Sequence, residues 1–111
     1  MTITELCKVS HRQAKEKGFW DLFENGSVKP RNNAELLMLI TTEIAECCEA
    51  LRHGNKNSDH IPKFSFAEEE LADAVIRIAD MCEANGYRLE EAIEEKLKFN
   101  TTREMKHGKQ F

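Results

Sequence analysis

The chain has few of the residues that punctuate, cross-link or bend a fold. Only five glycines and two prolines occur in 111 residues, and no glycine-rich phosphate loop or EF-hand pattern of alternating acids around a glycine is present. Both prolines, Pro30 and Pro62, lie in polar segments that read as connections. The four cysteines, Cys7, Cys47, Cys48 and Cys82, include no CxxC pair. Vicinal Cys47 and Cys48 do not readily bond to each other, so the thiols read as reduced, mostly small core residues, and zinc or dithiol redox chemistry is excluded. His11, His53, His60 and His107 are scattered without metal-ligand spacing. No apolar run approaches the roughly 20 residues of a membrane span. The opening Met1 to Lys8 lacks the basic start and apolar stretch of a secretory signal, so a cytoplasmic protein that meets no membrane is expected. Positive charge is also short: sixteen Lys plus Arg stand against twenty Asp plus Glu, for a net charge of -4. Nucleic-acid binding by charge alone is excluded, and a small anionic substrate would need a divalent cation to bridge it to so acidic a protein.

What is present is helical. Apolar residues make up 41% and charged residues 32% of the chain, a globular composition at a length that suits one domain over residues 1–111. A first helix is expected from about Thr4 to Lys17, with Gly18 after its end. Residues 18–32 then form a loop rich in large rings. Asn32 followed by Glu35 caps a second helix that runs to about His53 and is closed by Gly54. Residues 54–64 form a polar linker. Ser65-Phe-Ala-Glu68 is a capping box for a third helix ending at Asn85-Gly86, and a fourth covers about Leu89 to Asn100. No segment alternates apolar and polar residues as a strand would. The expected fold is all-α, a four-helix, bundle-like domain.

Successive helical residues turn by about 100°, which places every charge relative to the apolar arc. On the second helix Leu36 and Cys47 flank Glu43 at about 20° and 40° on one side, with Ala50 and Leu39 at about 20° and 40° on the other. Glu43 therefore points inward, and Glu46 sits at the edge of the same face. A buried, unpaired carboxylate costs several kcal/mol, so Glu43 requires a cation, a proton or a strong hydrogen-bond donor. The third helix echoes the spacing with Glu70 and Asp73, which head a polar stripe continued by Arg77 and Asp80. Read alone, that stripe is an ordinary solvated face. The apolar arc beside it spans about 200°, more than one packing partner needs, and predicts self-association to at least a dimer. On the fourth helix Lys96 and Asn100 occupy the centre of the stripe that begins with Leu89 and Ile93, and Arg103 extends it. Either the lysine snorkels at a bundle end, or a cationic and amide line faces the carboxylates across a cavity.

Four oxygen donors from two helices, with no histidine or cysteine among them, suit a hard cation, Mg²⁺ or Mn²⁺. Di-iron bundles use Glu-x-x-His, which is absent here. Such a cage beside a Lys, Asn and Arg line suits the holding and hydrolysis of a polyphosphate.

In these residues the sequence resembles the MazG-like all-α nucleoside triphosphate pyrophosphohydrolases. The matching pattern is Glu43-x-x-Glu46, a gap of 23 residues, Glu70-x-x-Asp73, then Lys96-x-x-x-Asn100-x-x-Arg103 and a His107-Gly108-Lys109 tail. The resemblance runs from about residue 34 to the C-terminus. It implies a helical bundle that assembles as a dimer or tetramer and splits a nucleoside triphosphate between its α and β phosphates into a monophosphate and pyrophosphate. It implies Glu43, Glu46, Glu70 and Asp73 as the Mg²⁺ cage, with Glu43 or Glu46 also activating the attacking water. Lys96, Asn100 and Arg103 would contact the phosphates. A base would stack on Trp20, Phe19 or Phe23, in keeping with the way aromatic faces receive bases; alternatively, these rings cap the bundle core. The base stays open, with a lean to pyrimidine deoxynucleotides. Two rival functions remain: a non-catalytic helical interaction module whose acids are ion-paired, and the related phosphoribosyl-ATP pyrophosphohydrolase.

Overall fold

The computed structural model describes residues 1–111 and contains four α-helices and no sheet. Helix α1 spans Ile3–Glu16, α2 Asn33–Arg52, α3 Phe66–Asn85 and α4 Leu89–Thr101, and a short 3₁₀ turn covers Met105–Gly108. No helix is long and apolar enough to cross a membrane. The starts lie where short polar side chains can satisfy free backbone N–H groups. Thr2 accepts from the Glu5 amide, Asn32 from Ala34, and Ser65 from Glu68, whose carboxylate closes the capping box by accepting from the Ser65 amide. Gly86 ends α3 in the left-handed region at φ 69°, where a side chain would be strained, and turns the chain directly into α4.

Helix α3 is the hub. It packs against α2 on one side and against α1 on another. Helices α2 and α3 run antiparallel. The Asn33 and Asn85 amides bond reciprocally at 3.0 and 3.1 Å where α2 begins and α3 ends, and the Cys47 thiol donates to the Ala67 carbonyl at the other end. The buried residues along α2 are Leu36, Ile40, Glu43 and Cys47, and those along α3 are Ala67, Ala74, Ala79 and Cys82. Cys7 of α1 closes a cluster with Ala79 and Cys82. Small residues dominate this list because the helices meet closely through alanine and thiol. Burial raises the Cys7 and Cys82 thiols above the ordinary range. All four cysteines are free, as expected, and Cys48 is the exposed one.

Helix α4 is not a fourth member of a closed bundle. It rests on α1, where Glu90 accepts from the Ile3 amide and the Thr4 hydroxyl, and it carries no buried residue. A 13-residue helix with an apolar stripe interrupted by Lys96 and Asn100 has too little continuous apolar surface to dock along two others.

The two connections are ordered by local bonds. In 18–32, Leu22 and Val28 form an isolated bridge. In 54–64, the buried Ser58 hydroxyl donates to Glu69 and accepts from the His60 and Ile61 amides, while the His60 ring bonds Glu69 at 2.6 Å. The His60 imidazole is held above its usual range by that carboxylate, and the Glu69 carboxyl is held below its own by Ser58 and His60.

Candidate metal centre

The acids of the two echoing motifs converge where α2 and α3 pack. Glu43, Glu46 and Glu70 each present a carboxylate oxygen within 4.8 Å of the others. Glu43 is buried, Glu70 half-buried and Glu46 exposed, so the cluster opens toward solvent on the Glu46 side. There the rim broadens into a shallow hollow lined by Glu49, His53 and Phe66. Asp73, the fourth acid of the pattern, lies outside this close trio, on the wall of a neighbouring cavity that it shares with Glu43.

Three carboxylates so close cannot all stay ionised without a cation. Burial first, then hydrogen bonding to Glu43 and Glu46, pushes the Glu70 carboxyl up to about 8. Burial and the Glu43 charge raise Asp73 as well. One Glu70 oxygen, Oε2, is buried with no hydrogen-bond partner. A buried acceptor without a donor, beside two further carboxylates, is the chemistry that a hard divalent cation satisfies, and the residues present therefore fit Mg²⁺ or Mn²⁺.

Glu43 already has one partner. Arg77 Nε donates to Glu43 Oε1 at 2.8 Å, which meets part of the requirement that an inward carboxylate imposes. One oxygen of Glu43 is thus committed to a structural ion pair, and a bound cation would draw on the other. The sequence places Arg77 on the same stripe as Glu70 and Asp73, but a wheel gives no sign that it reaches across to α2.

The pH response follows from Glu70. Its carboxyl titrates near 4.5 in an unfolded chain and about 8 here, so between those values the folded state holds a proton that the unfolded state has lost. The Glu70 contribution to metal-free stability is most favourable below about 4.5 and is lost as pH rises to about 8. Thermal melts in chelator should give a lower Tm at pH 8 than at pH 5, and added Mg²⁺ should reverse the loss at pH 8. A pH-independent melt would count against the crowding of these acids.

The cavity beside the cluster has a volume of about 590 Å³ and lies between α1, α2, α3 and the ring-rich loop. Its lining combines the acids Glu43, Asp73 and Asp80 with the cations Lys17, Arg31 and Arg77, and Phe19 contributes a largely exposed ring. It is large enough for a nucleotide-sized molecule.

Trp20, the first of the three rings considered for stacking, is 5% exposed and does not line this cavity. Its indole N–H donates to both oxygens of Asp80 at 3.0 and 3.1 Å, Arg31 lies over its ring, and the His11 ring meets it edge-on. His11 completes the group with Nδ1 at 2.7 Å from Asp80. The tryptophan thus seals the α1–α3 joint, which is the core-capping alternative, while Phe19 faces the open space. The His11, Trp20 and Asp80 cluster was not legible because its members are far apart in sequence and none breaks a helical pattern.

Within one chain Lys96, Asn100 and Arg103 do not meet the acids. No hydrogen bond or ion pair joins them to a carboxylate of the cluster, and α4 rests on α1. Lys96 and Arg103 lie over the Phe99 ring, and Asn100 Oδ1 is buried without a partner. The His107-Gly108-Lys109 tail is exposed. No protein-family model matches the chain, and comparison with curated proteins and with solved structures gave no match.

Proposed function

We propose that the chain is a Mg²⁺-dependent nucleoside triphosphate pyrophosphohydrolase that works in the cytoplasm as a dimer or tetramer. The observation that carries the reading is the trio Glu43, Glu46 and Glu70, with its unpartnered oxygen, beside a cavity lined with three cationic side chains. Glu43, Glu46 and Glu70 would hold the cation, with Asp73 completing the set from the cavity wall. Bound Mg²⁺ supplies charge that screens the acids from the polyphosphate and stabilises negative charge as the anhydride breaks. Glu46, the most exposed of the trio, is the residue best placed to orient water and accept its proton. Water oxygen bonds to phosphorus, the bridging P–O bond between the α and β phosphates breaks, and pyrophosphate leaves. Arg31 and Lys17 bind the anion, and Phe19 offers a face to the base.

The deciding assay is a nucleotide panel, with phosphoribosyl-ATP included, run with and without Mg²⁺ and scored for pyrophosphate against orthophosphate. Pyrophosphate release that requires Mg²⁺ supports the reading, and orthophosphate or no turnover with any member overturns it. A second reading, a non-catalytic helical module, is favoured by one observation: Arg77 already neutralises the buried Glu43.

Lys96, Asn100 and Arg103 enter this reading from α4 of a neighbouring chain, since their own α4 lies on α1. Lys96→Met should weaken substrate binding at unchanged or higher thermal stability, because it removes a charge from a helix that carries no buried residue. At substrate concentrations too low for Lys96→Met chains to bind, mixing them with Glu70→Gln chains should restore turnover, because some mixed sites then contain only intact residues. Mixtures that stay inactive while shown to exchange subunits would return the phosphate contacts to a single chain.

A further inference from the structure

Arg77 stands between the acid trio and the cavity and belongs to neither acid pair. It lies on α3 one turn after Asp73 and one turn before Asp80, and all three line the cavity together with Glu43. Its bond to Glu43 uses a single donor, Nε, at 2.8 Å. The strong form of an arginine–carboxylate pair is bidentate, with two parallel bonds. Here the second Glu43 oxygen accepts nothing from Arg77, and the remaining N–H donors of the guanidinium fork have no protein partner. The Glu43 side chain is buried, whereas that of Arg77 is more than one-third exposed. The arginine therefore reaches from a buried carboxylate into open space, with most of its donors unused.

Glu43 in turn belongs to two places at once. It is a member of the trio whose carboxylate oxygens lie within 4.8 Å of one another, and it is part of the cavity wall. That wall sets three acids, Glu43, Asp73 and Asp80, against three cations, Lys17, Arg31 and Arg77. It is electrically balanced, so it offers an anion no net attraction, and the charge of Arg77 is spent on Glu43. Positive charge arriving at the trio changes both terms. Two cations drawing on one carboxylate repel each other at short range, which weakens the hold of Glu43 on the guanidinium. With Glu43 neutralised by another charge, the same wall has a surplus of positive charge, and its freest cation is Arg77.

We propose that Arg77 is an anion-binding residue released by the cation: it is held on Glu43 in the metal-free protein and transfers its guanidinium to a phosphate group in the cavity once a divalent cation takes Glu43. The fork suits that second partner, because its unused donors match the geometry of phosphate oxygens. The exchange makes the two ligands cooperative. A cation frees Arg77 for the anion, and an anion that takes Arg77 leaves Glu43 to the cation, so each tightens the other by the same factor. The metal-free protein then has little affinity for a bare polyphosphate, and the cation enters first. The inference rests on the reading of the trio as a cation site and of the cavity as an anion site, and it does not depend on which nucleotide is split.

Titration calorimetry on the full chain, freed of metal by chelator, tests it with Mg²⁺ alone and then with inorganic pyrophosphate at saturating Mg²⁺. Arg77→Gln should bind Mg²⁺ at least about fivefold more tightly than wild type, because a competing cation is gone, and pyrophosphate at least about tenfold more weakly. An ion pair that only holds α2 to α3 gives the opposite sign: Mg²⁺ binding that is weaker or unchanged in the variant overturns the proposal. Arg77→Lys keeps the charge without the fork, so it should return Mg²⁺ affinity to the wild-type value and recover only part of the pyrophosphate affinity. A second measurement needs no variant that folds. Arg77 is the one arginine whose Nε donates to a protein group, so in ¹H–¹⁵N spectra of the metal-free wild type its Nε–H should be the downfield, slowly exchanging arginine signal. With Mg²⁺ and pyrophosphate both present that signal should leave its carboxylate-bonded position, and a signal that stays in place overturns the proposal while leaving the cation and anion sites standing. A wild-type chain that binds neither Mg²⁺ nor pyrophosphate with Mg²⁺ overturns the reading of the sites themselves, and the proposal with it.

Discussion

Glu70→Gln should abolish Mg²⁺-dependent hydrolysis, with a loss of at least about 100-fold in kcat, while raising the Tm of the metal-free protein. The two effects have one source. Burial and the neighbouring Glu43 and Glu46 push the Glu70 carboxyl up to about 8, so an uncharged amide of the same shape removes that burial cost and repulsion. In the proposed cage the amide also lacks the charge that would hold the cation. Calorimetry in chelator at pH 8 should show the gain, and it should vanish near pH 5, where wild-type Glu70 holds its proton. A Gln variant that keeps near-normal turnover under saturating Mg²⁺ would remove Glu70 from the cage. A variant that loses stability at pH 8 would mean that its carboxylate makes a favourable contact instead.

Arg77→Gln separates the two readings of the buried glutamate. Removing the guanidinium leaves Glu43, 8% exposed, without its charged donor. Fully buried pairs lose about 3–5 kcal/mol when broken this way. Arg77 is more than one-third exposed, so solvent screening reduces the expected cost to about 1–2 kcal/mol, or roughly 5–10 °C in Tm. In a metal enzyme, millimolar Mg²⁺ should restore much of that loss, because the cation brings positive charge to the same carboxylate. In a module held together by the ion pair alone, Mg²⁺ should restore nothing. Melts of the variant with chelator and with Mg²⁺ therefore report on function without a substrate.

The helices were legible because their ends carry local chemistry. Asn32, the Ser65 and Glu68 box and Gly86 act on backbone groups within a few residues, so spacing alone locates them. Glu43 was legible as an inward acid because its neighbours at one-turn spacing are apolar, and it is buried. Its partner was not, since a contact between residues 34 positions apart depends on how α2 and α3 are rotated. The same limit applies to α4. Its periodicity identifies a helix, but whether that helix joins a bundle depends on the direction in which the Gly86 corner sends it, and it goes to α1. Trp20 shows the opposite confusion, because a ring in a polar loop reads equally as a stacking platform or as a seal until its N–H partner, Asp80, is known.

That seal also has an optical consequence. Trp20 is the sole tryptophan, its N–H held by a carboxylate, one face under a guanidinium and its edge against an imidazole. Emission from this one fluorophore therefore comes from a single joint, where α1 meets α3. Asp80 and Arg31 belong both to the tryptophan's surroundings and to the wall of the 590 Å³ cavity. An anion entering the cavity would compete for Arg31 and change the charge over the indole, so its occupancy should be readable in the protein's own fluorescence, without a label and without turnover.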